Sequence, residues 1–232
     1  MKNKFIYISI FFLISIKCLS QGVPADDLFR AYVQDTANNC ASIALIKANL
    51  NAFGLKSIYS VKALDADTNI YTLKNKDEVS ITKVELDLAA KQFRVNTTNA
   101  TTPYLKSIVD TSVVCYAIMA KRLHIILPQL SKGNYKDDLA YISDVSFTVY
   151  DGVDLLGTGD YVVNLGRHWR KITGKKGVVV WSPHHTVFAS ERKCDMPGEA
   201  AEFHKWTKSY IRFYGRMYID TEEVTPPVYN KK

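Results

Sequence analysis

Gln34-Asp35-Thr36-Ala37-Asn38-Asn39-Cys40 runs without a break into Cys40–Phe53, CASIALIKANLNAF. Ile43, Ile46 and Leu50 recur at helical spacing with Ala44 and Ala48 between them. Gly54 supplies a left-handed stop at the C-terminal end, and Asn38 or Asn39 can cap the start. This predicts a helix over 40–53 with Cys40 in its first turn. A thiol there lies under N–H groups that have no partner inside the helix, and their field favours its ionised form. The same N–H groups can hold an oxyanion in acyl transfer. Gln34, six residues upstream, carries an amide able to fold back as a second donor.

Working outward, the first half of the chain reads as mainly helical. Ile70–Leu73 and Val79–Thr82 flank a polar turn and predict a hairpin. Thr82 and Glu85 form a capping box for a helix to about Phe93. Thr102-Pro103 is a cap followed by an N1 proline, opening a helix to about Arg122 that buries Cys115. Beyond about residue 145 the pattern changes to short strands: Val145–Tyr150, Tyr161–Val163, Trp169–Ile172, Gly177–Trp181 and Thr186–Ser190. The expected fold class is α+β, with a helical lobe over 21–145 carrying Cys40, a β-rich lobe over 146–225 carrying His185, and a loose tail over 226–232.

Composition bounds the rest. The chain has 232 residues, 47% hydrophobic and 23% charged, which suits a folded domain and excludes a disordered one. Its opening has Lys2 and Lys4 ahead of the apolar run Phe5–Ile16 and reads as a signal peptide over 1–20. Export to the periplasm or the outside follows, with no stable membrane span once that segment is removed. Removal takes away Lys2, Lys4 and Lys17 and no acid, so the net charge falls from +7 to +4. No dense basic stripe remains, and nucleic acid is not an expected partner. Cys40, Cys115 and Cys194 are then an odd set. Export permits a Cys115–Cys194 disulfide, which would leave Cys40 as a free thiol.

A nucleophilic thiol needs a base. Of five histidines, His184 and His185 sit at the mouth of the predicted strand 186–190, just after the predicted strand ending at Trp181. His185 is the base candidate, with His184 and Trp181 as candidate binding residues. No HExxH or CxxC spacing supports a metal centre. No G-x-S-x-G supports a serine hydrolase. No cofactor is expected.

The segment Gln34 to Cys40, the helix it opens and the later His185-Thr186-Val187 strand resemble the papain- and calpain-like cysteine peptidases. The 145 residues between Cys40 and His185 fall within the spacing of about 130–150 of that group. The resemblance implies a papain-like two-lobed fold with a peptide or protein substrate in the interlobe cleft. It would make Cys40 the nucleophile, His185 the general base and acid, and Gln34 the oxyanion donor. The family's orienting Asn before a Trp does not follow His185, which leaves Glu191 and Asp195 as acids able to orient the imidazole. The expected function is a secreted thiol-dependent amide hydrolase. The alternative is a non-catalytic exported binding protein on the same scaffold.

Overall fold

Helix α2, Cys40–Phe53, runs through the middle of the molecule, and every residue from Ala41 to Phe53 is buried. The computed structural model describes residues 22–166, 174–183, 185–191, 193–196, 199–202 and 215–224. The leader expected over 1–20, the strand expected over Trp169–Ile172 and the tail expected over 226–232 lie outside them, as do His168, His184, His204, Trp169 and Trp206. The fold is α+β. Helix α1, Ala25–Ala31, is followed by the two-residue strand β1, Val33–Gln34, and then by α2. Strands β2 (Tyr59–Ala63), β3 (Thr68–Leu73) and β4 (Glu78–Thr82) form an antiparallel meander. Helix α3 (Lys83–Phe93), strand β5 (Val95–Asn96) and the long helix α4 (Pro103–Ile126) follow. Helices α5 (Tyr135–Tyr141) and α6 (Val149–Gly152) complete the helical part.

The second half contributes an antiparallel sheet of β6 (Val162–Gly166), β7 (Val178–Trp181), β8 (Thr186–Ser190), β9 (Lys193–Met196), β10 (Glu199–Glu202) and β11 (Gly215–Ile219). Their order is β10-β9-β8-β7-β11-β6, so β11 is inserted between β7 and β6. Strand alternation divides the sheet's side chains. Val179, Trp181, Phe188, Met217 and Ile219 join the main core with α2, whereas Val178, Val180, Val187, Ala189 and Cys194 form a second cluster. The main core is continuous between the helices and the six-stranded sheet.

Local signals explain most of the boundaries. Gly54 ends α2 at φ 77°, with its N–H donating to the Leu50 carbonyl at 2.8 Å. Thr82 and Glu85 make the capping box of α3, and the Thr102 hydroxyl caps α4 ahead of Pro103. One expectation fails outright: Val145–Tyr150 is not a strand. Its alternation is overruled by Asp151, whose carboxylate accepts from the Thr148 N–H at 3.0 Å and hydroxyl at 2.7 Å and starts α6. Gly152 ends α6 against α2, where a Cβ would lie 2.3 Å from Leu45 Cδ1. Asn39 sits at the N-cap position of α2 but does not cap it. Its amide instead donates to the Phe93 carbonyl at 2.5 Å, tying the start of α2 to the end of α3.

A helix buried on every side must dispose of its polar groups. Ser42 donates to the Ile142 carbonyl at 2.7 Å. Asn51 accepts from the Gly177 N–H at 2.6 Å and the Ser190 hydroxyl at 3.1 Å, and donates to the Val23 carbonyl at 2.8 Å. Lys47 has no exposed surface. Its Nζ lies 2.5 Å from Asp195 Oδ2 and 2.7 Å from the Tyr32 carbonyl oxygen, and 4.4 Å from the centre of the Tyr32 ring. Burial pushes the Lys47 ammonium down and the Asp195 carboxyl up, and each is opposed by the other's charge. Desolvating such an ion costs several kcal/mol. Each fully buried Leu or Ile contributes roughly 1.5–3 kcal/mol, so Leu45, Ile46 and Leu50 around the lysine offset that cost.

The pair therefore fixes geometry more than it adds stability. Lys47→Met strands a buried carboxylate and is expected to cost about 3–5 kcal/mol in urea denaturation at neutral pH. Lys47→Met combined with Asp195→Leu is expected to be the more stable of the two variants. A single variant within 0.5 kcal/mol (roughly the scatter of surface changes) of the parent would contradict this account.

Candidate active site

The turn that delivers Cys40 is pinned at both ends. Strand β1 pairs with β5, placing Gln34 opposite Val95. The Gln34 amide then donates to the Ala37 carbonyl at 2.5 Å, closing the loop ahead of the helix. Asn39 anchors the other end to Phe93. Cys40 follows as the first residue of α2 and is half-buried, while the rest of that helix is buried.

His185 is delivered by the β7–β8 hairpin. The Ser182 N–H donates to the His185 carbonyl at 2.8 Å, and the His185 N–H donates to the Ser182 hydroxyl at 3.1 Å. Trp181 pairs with Thr186 across the strands. This hairpin lies over α2, and the result is one open cleft of about 740 Å³ bordered by Gln34, Asn38, Cys40, Trp181, Ser182 and His185. The structure thus brings Cys40, His185, Gln34 and Trp181 to a common space, although Cys40 and His185 are 145 residues apart in sequence. His184 lies outside the described residues.

The opposite wall is segment 144–150, supplied by the residues misread as a strand. Val145, Phe147, Val149 and Tyr150 give it an apolar surface, with Asp144 as its charged group. The Tyr150 ring meets Trp181 edge-on at 5.2 Å. The Trp181 ring packs directly against Gly215, and a Cβ there would fall 2.1 Å from it. Sequence reasoning missed this wall. The Thr148-x-x-Asp151 pattern was the signal that a helix, not a strand, begins there.

Candidates for orienting the imidazole separate cleanly. Glu191 is exposed, at φ 51° in the β8–β9 turn at the end of β8 away from His185. It is not placed to orient the ring. Asp195 borders a small cavity together with Cys40 and His185, held from behind by Lys47. Cys194 belongs to the other face of the sheet, and burial pushes its thiol up to about 12. Burial raises the Cys115 thiol too, in the main core on α4. Cys40, Cys115 and Cys194 form no disulfide with one another, so the Cys115–Cys194 bridge that export would permit is not made. Among the described residues no cluster of His, Cys, Asp and Glu can hold a metal ion, and no helix is long and apolar enough to cross a membrane.

No protein-family model matches the chain, and comparison with the curated proteins and with the solved structures gives no match. The site stands on its geometry.

That geometry sets a protonation state. Burial holds the His185 imidazole below its ordinary 6.5, which leaves it neutral at pH 7 and able to accept a proton. The unfolded chain takes up this proton as the pH falls through about 6.5. The stability linked to His185 is therefore complete above that value and is lost as the pH falls through the lower folded value. NMR titration of the His185 ring is expected to give a midpoint below 6.5. A midpoint at or above 6.5 would contradict the reading of a buried, neutral base.

Proposed function

We propose that the chain is an exported, thiol-dependent amide hydrolase of papain-like two-lobed organisation, acting on a peptide or protein segment held in the cleft. The observation that carries this reading is the shared cleft of Cys40 and His185, one at a helix N-terminus and the other at a strand mouth. A neutral imidazole beside a thiol at unpartnered helix N–H groups has what acyl transfer needs: a base, a nucleophile and an anion site. The basic and then apolar opening of the chain supports export.

In the mechanism, His185 takes the Cys40 proton as the sulfur attacks the amide carbonyl. The S–C bond forms, and the oxygen gains charge facing the N–H groups of the first turn of α2. Gln34 reaches the same space, with one amide proton given to Ala37 and the second left for the oxyanion. The tetrahedral intermediate expels the amine, which leaves with the proton from His185. Water, activated by the same ring, then releases the acyl group from sulfur. The apolar wall of Phe147, Val149, Tyr150 and Trp181 gives a side chain of the substrate a place to bury.

The second reading, a non-catalytic binding protein on this scaffold, draws on the commitment of Gln34 to the Ala37 carbonyl. Alkylation with iodoacetamide at pH 7 separates the two. The hydrolase reading expects Cys40 to react at least tenfold faster (about 1.4 kcal/mol in barrier) than glutathione, while buried Cys115 and Cys194 stay unmodified. His185→Ala is expected to remove that advantage. Hydrolysis of a mixed peptide library is expected from the parent protein and not from Cys40→Ala. A Cys40 no faster than glutathione, with His185→Ala unchanged, would overturn the hydrolase.

A further inference from the structure

Beneath the cleft lies a second, smaller cavity between α2 and the β8–β9 pair. Gln34, Cys40, Ala44, His185, Thr186 and Asp195 are among its lining residues. The space open to a water centre is about 10 Å³, the least that admits one water and too little for any larger ligand. Asp195 is 9% exposed, and its two carboxylate oxygens have different fates. Oδ2 is taken by Lys47, whereas the buried Oδ1 has no hydrogen-bond partner. A buried carboxylate oxygen left unpaired costs free energy that one well-placed donor recovers.

We propose that this cavity is a site for one internal water, which donates to Asp195 Oδ1 and accepts from a ring N–H of His185, making Asp195 a positioning residue for the base. This deepens the hydrolase reading and rests on it. The bridge explains how the ring is oriented in a chain whose His185 is not followed by the orienting amide of the papain-like group. With one ring nitrogen donating toward the water, the other presents its lone pair to the cleft and to Cys40. Lys47 completes the arrangement by fixing the far side of the carboxylate, so the water site is built on three elements, α2, β8 and β9. Among the described residues, the charged and titratable groups around the ring are Cys40 on α2, Asp195 on β9 with Lys47 behind it, and Asp144 and Tyr150 on the opposite wall.

The test reads His185 itself, in the full chain carrying Cys40→Ala so that no thiolate contributes. Asp195→Asn removes the charge. Ala44→Val leaves the charge in place and fills the cavity with methyl groups. Both are expected to lower the NMR midpoint of His185 by about 0.5–1 unit, a roughly three- to tenfold loss of proton affinity. An unchanged midpoint in both variants would overturn the proposal. A shift in Asp195→Asn alone would also overturn it, because the carboxylate would then act without a bridge. Circular dichroism checks that each variant is folded; if Asp195→Asn is not, Ala44→Val decides alone, an unchanged midpoint overturning the water site. The hydrolase reading fails separately, by an ordinary alkylation rate at Cys40 in the parent protein, which leaves these titration shifts standing.

Discussion

An ammonium group with no contact with water, held between a carboxylate, a backbone carbonyl and the face of a tyrosine ring, sits at the centre of this molecule. Lys47 and Asp195 are 148 residues apart, and their contact joins the helix that begins with Cys40 to the strand beside the one that begins after His185. An apolar contact in the same place would tolerate sliding by a fraction of a turn. A buried ion pair does not, because separating the charges exposes each to a medium that cannot solvate it. The pair thus sets the axial position of α2 against the sheet, and with it the height at which Cys40 opens on the cleft it shares with His185.

The chemistry follows from that register. Cys40 is the half-exposed end of an otherwise buried helix, so its sulfur opens on the cleft while its helix is held fast. His185 stands at the end of a tight hairpin fastened by Ser182. Neither group is on a long loop, which suits a reaction that loses rate steeply with misplacement. The opposite wall, 144–150, is held less deeply: Val145 is 75% exposed and Tyr150 48%. Cys40 and His185 thus lie on well-anchored backbone, and the facing wall is exposed at Val145 and Tyr150 while Phe147 and Val149 are buried in the core.

Much of this was legible in the residues. Helix α2, its glycine stop, the capping box of α3, the proline start of α4 and strands β7 and β8 all announce themselves by local signals a few residues long. Helix-start chemistry and a histidine at a strand mouth also singled out Cys40 and His185, which border one cleft. What failed had non-local causes or competing local ones. Val145–Tyr150 alternates like a strand, yet Thr148 and Asp151 start a helix inside it. Asn39 looks like a cap, but Phe93 offers its amide a buried acceptor fifty-four residues away. Strands β9 and β10 carry little apolar alternation and take their form from pairing, β9 with β8 and β10 with β9. Nothing local marks Lys47 as a buried lysine, and only the tertiary structure brings Asp195 to it.

The central claim is that one sulfur and one imidazole face each other across a cleft, and the most direct measurement is a chemical ruler. A symmetric three-carbon bis-electrophile first alkylates the more reactive thiol and then bridges only to a nucleophile within a few ångströms. Digestion and mass spectrometry of the product are predicted to show the Cys40 peptide joined covalently to the His185 peptide. Modification of Cys40 with the second arm hydrolysed, and no link to His185, would contradict the account.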